Sequence, residues 1–151
     1  MSPAPDIRSA RAPDLPAILA LLEGARLPTA DIASMHEPQM WVLEERDSIV
    51  GVIALERFGS EALLRSLAIA PDCRNRGFGR KLVARVEQSA QADGINQLVL
   101  LTETAEVFFR RLGYSIIDRH YVSNSLKQSA EFRSLCPDSA TCMSKILAKP
   151  S

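Results

Sequence analysis

The residues with the clearest chemical potential form a short basic segment that contains two glycines. In chain order they are Arg74, Asn75, Arg76, Gly77, Phe78, Gly79 and Arg80. Glycine allows positive φ and lets a ligand approach the main chain closely. A predicted helix opens from this segment, and its first N–H groups lack partners within the helix and carry the positive end of its dipole. Because arginines can also grip phosphate oxygens with two donors, the segment is expected to bind a phosphate or diphosphate group.

Two familiar phosphate-binding motifs do not explain this segment. A Rossmann fingerprint needs a third glycine at the position of Leu82, and a P-loop needs a Gly-Lys-Ser/Thr sequence that this chain lacks. A Gly-x-Gly pair is a weak signal when it stands alone. A simple glycine turn followed by a solvated basic helix is therefore the alternative interpretation.

A second position of chemical interest is Arg65, on the strand predicted over residues 63–70. Strict alternation would place on one face of this strand Leu63, Arg65, Leu67 and Ile69. An arginine on an otherwise apolar face indicates a partner, and a substrate carboxylate is a candidate for that partner. A bulge would change the register, and an exposed strand charge is the alternative.

The elements that must position these residues predict a mixed α/β domain. Strands are predicted over residues 7–10, 41–45, 49–58, 63–70, 97–101, 114–119 and 141–147. Helices are predicted over residues 13–24, 29–36, 79–92, 105–112 and 125–135. A hairpin turn is expected at Asp47-Ser48. Residues 1–6 are expected to be a loose N-terminus, residues 7–147 a single domain, and residues 148–151 a tail.

Composition excludes several classes of function. The chain has 151 residues, 46% of them hydrophobic, which suits one domain with an ordinary core. Its 18 basic and 18 acidic residues cancel, which argues against broad binding to nucleic acid. No apolar run approaches the ~20 residues that span a bilayer, and the start does not resemble a signal peptide. We therefore expect no membrane partner, no nucleic-acid partner and a cytoplasmic location.

The cysteines do not form a metal-binding pattern. Cys73, Cys136 and Cys142 are an odd set without a CxxC pair, so no metal site is expected. The spacing of Cys136 and Cys142 leaves a zinc or trivalent-arsenic site as an alternative, but ordinary buried thiols fit it better.

The glycine segment resembles a known signature. Arg74-x-x-Gly77-x-Gly79 is similar to the Q/R-x-x-G-x-G/A motif of the GNAT superfamily of N-acetyltransferases, and the order of elements over residues 7–147 resembles the same family. The resemblance implies acetyl-CoA as co-substrate and a mixed, mostly antiparallel central sheet flanked by helices. It also implies that the main-chain amides of residues 76–80 hold the pyrophosphate. The main chain of the preceding strand would pair with the pantetheine arm, through Leu67, Ala68 and Ile69.

The stretch after the central strand resembles the second half of the family's site. Many members carry N-x-x-A-x-x-x-Y-x-x-x-G-F, whereas this chain carries Thr102, Ala105, Phe109, Gly113 and Tyr114. Phe109 thus occupies the place where a tyrosine often protonates the departing thiolate, and a phenylalanine cannot do so. The resemblance places at the cofactor Thr104, Phe108 and Phe109. Plain core packing is the alternative for both aromatic residues.

A narrower resemblance concerns the acceptor. The form of residues 100–113 is similar to acetyltransferases of amino acids and their analogues, and residues 131–143 resemble small acetyltransferases encoded with arsenic-resistance genes. This implies a small-molecule amine, either amino-acid-like or an organoarsenical, that attacks the thioester directly. Dimers are common in the family, so a homodimer is also implied.

The implied reaction requires a base, because a free amine is largely protonated at neutral pH. Glu103 is the first candidate, since it follows the central strand beside the cofactor segment. The other candidates are Glu56, Glu61, His36 and His120. A main-chain N–H of the fourth strand would hold the thioester oxygen.

Two other functions remain open from sequence. The missing tyrosine at Phe109 allows a domain that binds acetyl-CoA as a sensor, or that serves as a protein partner, without catalysis. A protein N-acetyltransferase is the second alternative, which an open groove beside Arg65 would favour over a closed pocket.

Overall fold

In the part of the chain that the structure describes, seven strands form one sheet in the order β1-β2-β3-β4-β5-β7-β6. The computed structural model describes residues 5–30, 32–35, 38–129, 132 and 140–147. The strands are β1 Asp6–Ser9, β2 Pro38–Glu45, β3 Ser48–Phe58, β4 Glu61–Ile69, β5 Gln97–Thr102, β6 Ser115–Ile116 and β7 Thr141–Ile146. Within the described residues β4 and β5 form the one parallel pair, which confirms a mixed and mostly antiparallel sheet.

Helices cover both faces of this sheet. They are α1 Leu15–Gly24, α2 Phe78–Ala92, α3 Glu106–Arg111 and α4 Asn124–Lys127. The alternation of β2 sends Leu43 to the core formed with α2 and α3, and its neighbour Val42 to the core formed with α1. The helix α4 covers a third apolar cluster on the same side as α1, around Leu63 and Val99. Among the described residues, no helix combines the length and the apolar character that crossing a membrane would require.

The parallel pairing of β4 with β5 is short, and this determines the shape of the molecule. It runs only from the pair Glu61–Gln97 to the pair Leu63–Val99, after which the two strands separate. β5 remains paired with β7 along its whole length, from Gln97 to Thr102. The edge of β4 that faces β5 is therefore unpaired over residues 64–69 within the described chain.

Most predicted elements are present, but two are shorter than their patterns indicate, and a third lies partly outside the described residues. The strand predicted over residues 114–119 is only Ser115–Ile116, because the side chain of Asp118 accepts a hydrogen bond from His120 N and closes a 3₁₀ turn. The helix predicted over residues 29–36 is a 3₁₀ turn at Ile32–Ser34, with Asp31 and His36 outside the described residues. Of the helix predicted over residues 125–135, the structure describes α4, and residues 130–131 and 133–139 lie outside the described chain.

The hairpin between β2 and β3 turns one residue earlier than predicted. Its central residues are Arg46 and Asp47, with φ of 52° and 62°, whereas Ser48 already pairs with Glu45 in the ladder. Two successive positive φ angles are those of a type I′ turn, whose twist matches that of the flanking strands.

An ion-pair network fastens the first strand to the first helix. Arg8 on β1 donates to both carboxylate oxygens of Asp14, at 2.7 and 3.0 Å, and to Glu44 Oε2 on β2 at 3.1 Å. Asp14 also accepts from Arg11 N at 2.7 Å. These hydrogen bonds, that from Arg8 first, lower the pKa of Asp14 from 3.8 to about 2. The network fixes the entry of α1 against the sheet edge.

Acid should weaken this network over a defined window. A carboxyl group with a lowered folded-state pKa stabilises the fold above its unfolded value of 3.8, and this contribution disappears as the pH falls toward about 2. After allowance for solvent screening, Asp14→Asn is expected to lower the free energy of unfolding at pH 7 by about 1 kcal/mol. In urea titrations the difference from the unmodified protein should vanish near pH 2. The exposed turn variant Asp47→Asn is the control, and a loss equal to that of Asp14→Asn would contradict this account.

Candidate functional site

A cleft of about 870 Å³ opens where β4 and β5 separate. Its walls are formed by residues 25–30 after α1, residues 64–67 of β4 and residues 100–105 at the end of β5. Arg74 beside α2, Phe109 on α3 and Ala140 before β7 complete the lining. The cleft therefore brings together parts of the chain that are far apart in sequence.

A bulge in β4 shapes the floor of this cleft. Ser66 has a φ of 60°, and the pairing of β4 with β3 shifts register between Val52 and Ala54. The prediction that Leu63, Arg65, Leu67 and Ile69 share a face is consequently wrong. Leu67 and Ile69 pack toward α2, whereas Leu63 packs toward α4. The extra residue of the bulge reverses the alternation beyond Ser66.

Arg65 is buried beneath the cleft and has a partner inside the protein. Its side chain is 0% exposed, and its Nη1 donates to Glu56 Oε1 at 2.8 Å. Its Nε donates to Ser66 Oγ at 3.2 Å, so the same guanidinium contacts the bulge. Because this side chain is buried, the alternative of an exposed strand charge is excluded. A buried arginine requires a compensating carboxylate. Glu56 provides that carboxylate, although Arg65 itself lines the cleft.

The glycine segment forms an open cradle at the start of α2. Asn75 and Gly77 have φ angles of 65° and 80°, and the first main-chain bond of the helix runs from Lys81 N to Gly77 O at 3.2 Å. In the described chain, no main-chain N–H of residues 76–80 donates to another main-chain carbonyl. A Cβ at Gly79 would lie 3.2 Å from Phe108 Cζ, so glycine lets α2 pack against α3. Within the described chain, the donors predicted to bind a diphosphate are therefore not used by other main-chain groups.

The arginines of the segment differ in their surroundings. Arg76 donates twice to Glu45, at 2.8 and 2.6 Å, and its guanidinium lies 4.5 Å from the centroid of the Phe78 ring. The hydrogen bond from Arg76 also lowers the pKa of Glu45. Arg74 donates through Nε to Ile69 O at 3.3 Å and lines the cleft, and Arg80 is exposed on the first turn of α2. Arg76 thus holds the segment against β2, while Arg74 and Arg80 provide positive charge beside the cradle.

The aromatic residues of α3 serve as packing groups and as cleft lining. The rings of Phe108 and Phe109 meet edge to face with centroids 5.0 Å apart, and Phe109 meets Tyr114 in the same way at 5.4 Å. Phe109 is buried and lines the cleft, whereas Phe108 contacts Gly79. Tyr114 donates to Glu87 Oε2 at 2.8 Å, and burial raises the pKa of its hydroxyl. Tyr114 therefore does not take over the role of the tyrosine that Phe109 replaces.

Glu103 and Thr104 are exposed at the mouth of the cleft, directly after β5. The turn that carries them is closed by Thr102 Oγ1, which accepts from Ala105 N at 2.9 Å. Two of the other predicted bases lie elsewhere. Glu61 sits at the closed end of the β4–β5 pairing, and His120 lies in the 3₁₀ turn Arg119–Tyr121.

Sequence reasoning missed the wall that follows α1. The helix ends in a Schellman motif, in which Arg26 N donates to Glu23 O at 3.0 Å and Leu27 N donates to Leu22 O at 2.9 Å. Arg26 occupies the left-handed position with a φ of 58° and lines the cleft. Glycine is the usual residue at this position, and another residue costs about 1 kcal/mol. The sequence feature that could have indicated this wall is Arg26 itself, a charged residue two positions after α1 ends at Gly24.

Cysteines do not contribute a metal site in the described part of the chain, where no three metal-ligating side chains cluster. Cys73 and Cys142 are buried free thiols, and burial raises the pKa of Cys142 to about 11. Cys136 and most of the stretch at residues 131–143 lie outside the described residues.

Comparison with known proteins agrees with this geometry. The family model described as "Acetyltransferase (GNAT) domain" matches residues 36–116. An uncharacterised N-acetyltransferase of Chlorobaculum tepidum, CT2212, is 29% identical over 90% of this chain and 90% of its own length. The amino-acid acetyltransferase of Aeromonas salmonicida is 33% identical over 56% of this chain, which spans only 20% of that enzyme.

A solved structure gives a similar result over nearly the whole chain. Rv2747 of Mycobacterium tuberculosis, crystallised with CoA, has a TM-score of 0.80 and is 26% identical. The match covers 95% of this chain and 99% of that one. With a cradle of free main-chain donors, a separated β4–β5 pair and a family match over more than half its length, this chain belongs to the GNAT acetyltransferase family and is an N-acetyltransferase that uses acetyl-CoA.

Proposed function

We propose that the acceptor is a small amino acid or amino-acid analogue whose amine attacks the thioester of acetyl-CoA directly. The observation that carries this proposal is the cleft itself. Arg74, two residues before the cradle of residues 76–80, lines the cleft, and so do Glu103, the buried Arg65 and the exposed Arg26. A zwitterionic acceptor matches a site with both charges, and relatives such as the Aeromonas salmonicida enzyme are amino-acid acetyltransferases.

The cofactor is proposed to follow the open edge of β4. The amides of residues 76–80 would bind the pyrophosphate, because they have no main-chain acceptor among the described residues and lie at the positive end of α2. The unpaired edge of β4 offers main-chain donors and acceptors to the pantetheine arm, at Leu67, Ala68 and Ile69. Acetyl-CoA supplies the activated acetyl group, and the protein supplies its position.

Two groups of the protein are proposed to act on the reacting atoms. Glu103 would take the proton of the acceptor ammonium, directly or through water, so that the amine lone pair can attack. A main-chain N–H at the bulge of β4 would donate to the oxygen that gains negative charge in the transition state. No tyrosine hydroxyl lines the described cleft, so the departing thiolate is expected to obtain its proton from water or from the acceptor.

Arg65 is proposed to donate hydrogen bonds to the acceptor at the floor of the cleft. Because Glu56 already compensates its charge, a bound carboxylate would reach Arg65 only by replacing one of its present contacts. The enclosed position of Arg65 favours a small acceptor over a protein terminus, which would need an open groove. The organoarsenical acceptor, the homodimer and the cytoplasmic location stay predictions from sequence.

The proposed function is tested by measuring thiol release from acetyl-CoA in the presence of amino acids, simple amines and phosphono or arsono amino-acid analogues. Release that depends on an amino acid or an analogue, with the N-acetyl product identified by mass spectrometry, supports the proposal. Binding of acetyl-CoA without release in any mixture would favour the sensor, and release only with peptides would favour a protein N-acetyltransferase.

Reversing charge at the cradle should weaken cofactor binding. Arg80→Glu places a negative charge on the first turn of α2, where the pyrophosphate is proposed to bind. The dissociation constant of acetyl-CoA in calorimetry is expected to rise about tenfold, and the effect should shrink at high salt. The control is Arg85→Glu, an equal charge change at an exposed position farther along the same helix. Equal weakening by both variants would show a general charge effect and contradict the cradle.

Removing the proposed base should lower turnover more than binding. Glu103→Gln is expected to reduce kcat at pH 7 roughly 100-fold, with little change in the KM for acetyl-CoA. The deficit should diminish as the pH approaches the pKa of the acceptor amine, because the neutral amine then needs no base. Glu106→Gln, on a neighbouring residue that pairs with Arg110 at 3.2 Å, is the control. A pH-independent deficit, or equal deficits in the two variants, would remove Glu103 from this role.

Lysine at position 65 separates charge from hydrogen-bonding geometry. Arg65→Lys retains a cation opposite Glu56 but has fewer donors in a different geometry, so it cannot contact both Glu56 and the acceptor in the same way. We expect about a tenfold rise in the acceptor KM and an unchanged KM for acetyl-CoA. Steady-state kinetics with the best acceptor of the screen give both values, and parallel changes in the two would argue for a purely structural role.

A further inference from the structure

One charged residue that lines the cleft has neither a partner at the floor of the cleft nor a proposed role in binding the cofactor. In the described chain the charged lining residues are Arg26, Arg65, Arg74 and Glu103. Glu56 compensates Arg65, and Arg74 donates to Ile69 O beside the cradle. The side chain of Arg26 makes no hydrogen bond or ion pair with the described residues. Arg26 is therefore a positively charged residue of the cleft that belongs neither to the Arg65–Glu56 pair nor to the cradle.

Arg26 lines the cleft in a backbone conformation that carries an energetic cost. Within the described residues, positive φ outside glycine occurs at Arg26, Arg46, Asp47, Ser66 and Asn75. The pair Arg46 and Asp47 forms the type I′ turn, Ser66 the bulge and Asn75 the cradle. At Arg26 the Schellman motif demands the left-handed conformation but favours glycine, so nothing in the helix end calls for an arginine. Strained positions of this kind concentrate at ligand sites.

We propose that Arg26 binds the acidic group of the acceptor and selects amino acids over simple amines. The inference rests on the proposed function, which it extends by naming the residue that recognises the acceptor's acid. A guanidinium donates two parallel hydrogen bonds to a carboxylate, or to the phosphonate or arsonate of an analogue. Arg26 and Glu103 lie on different walls, one after α1 and the other after β5. An acceptor with its acid toward Arg26 presents its ammonium toward Glu103.

Arg26 is exposed, and this determines how strong the selection can be. An amine without an acidic group leaves the guanidinium solvated rather than buried and unpaired. The discrimination is therefore expected to be about tenfold to a hundredfold, well below that of a buried polar site.

The test compares two variants that each remove one exposed arginine with positive φ, Arg26→Gly in the cleft and Arg46→Gly in the β2–β3 turn. The ligands are L-alanine with ethylamine, and L-phenylalanine with phenethylamine; each amine is its amino acid without the carboxylate. Calorimetry on the CoA-saturated protein gives dissociation constants, and thiol release gives kcat/KM. Arg26→Gly is expected to weaken the amino acids at least tenfold relative to the matched amines, and Arg46→Gly to weaken neither.

Stability supplies a readout that a structural role would not reproduce. Because glycine relieves the left-handed backbone, Arg26→Gly is expected to raise the melting temperature by about 3 °C while binding is lost. Arg26→Lys should retain part of the preference for amino acids. Equal losses for acid and amine, no loss at all, or no binding of either amino acid by the unmodified protein would overturn the inference. Binding of amino acids that depends on Arg26, without thiol release from any acceptor, would uphold it while contradicting the proposed function.

Discussion

The separation of β4 from β5 after Leu63 is the constraint on which the rest of the site depends. Two parallel strands that stayed paired would use every main-chain group of β4 in the ladder and leave no gap between them. Here β5 stays bound to β7, and β4 keeps its bonds to β3 while its other edge is open. One strand is thus paired with the sheet on one side and, on the other, offers the edge along which the cofactor is proposed to bind.

The bulge at Ser66 stabilises this arrangement from within. It reverses the alternation of β4, so that apolar residues beyond it face α2 while Arg65 remains on the opposite side. Arg65 contacts both Glu56 and Ser66 Oγ, which joins a buried ion pair to the strained residue. A buried pair of this kind adds little net stability because of desolvation, but loss of one partner is costly. Its value here is geometric, since it holds the bulge beside the cleft.

The second half of the site depends on the way α2 begins. Gly77 and Asn75 in the left-handed region turn the chain sharply, and Gly79 permits the close packing of α2 against Phe108. The pairing of Arg76 with Glu45 ties the segment to β2, so the cradle is anchored to the same sheet as the bulge. The groups proposed to bind the cofactor and the acceptor are consequently attached to the same sheet, which would fix the distance between the two bound molecules, as group transfer requires.

The sequence by itself determined the local features of this protein. Hydrophobic periodicity located the central strands and the helices α1 and α2, because these elements bury regular apolar faces. The glycine spacing located the cradle, since positive φ and close approach are properties of single residues. Short elements such as β6 were overextended, because a single capping contact at Asp118 ends the strand there.

Only the tertiary structure decided which charges meet. Glu56 is nine residues from Arg65, Glu45 is 31 from Arg76, and Arg26 reaches the cleft from the opposite wall to Glu103. The bulge at Ser66 also left no mark in the alternation of residue types, so the face of Arg65 could not be read correctly. Pairing and register are properties of strands brought together from distant parts of the chain, and their energies depend on burial that no single segment specifies.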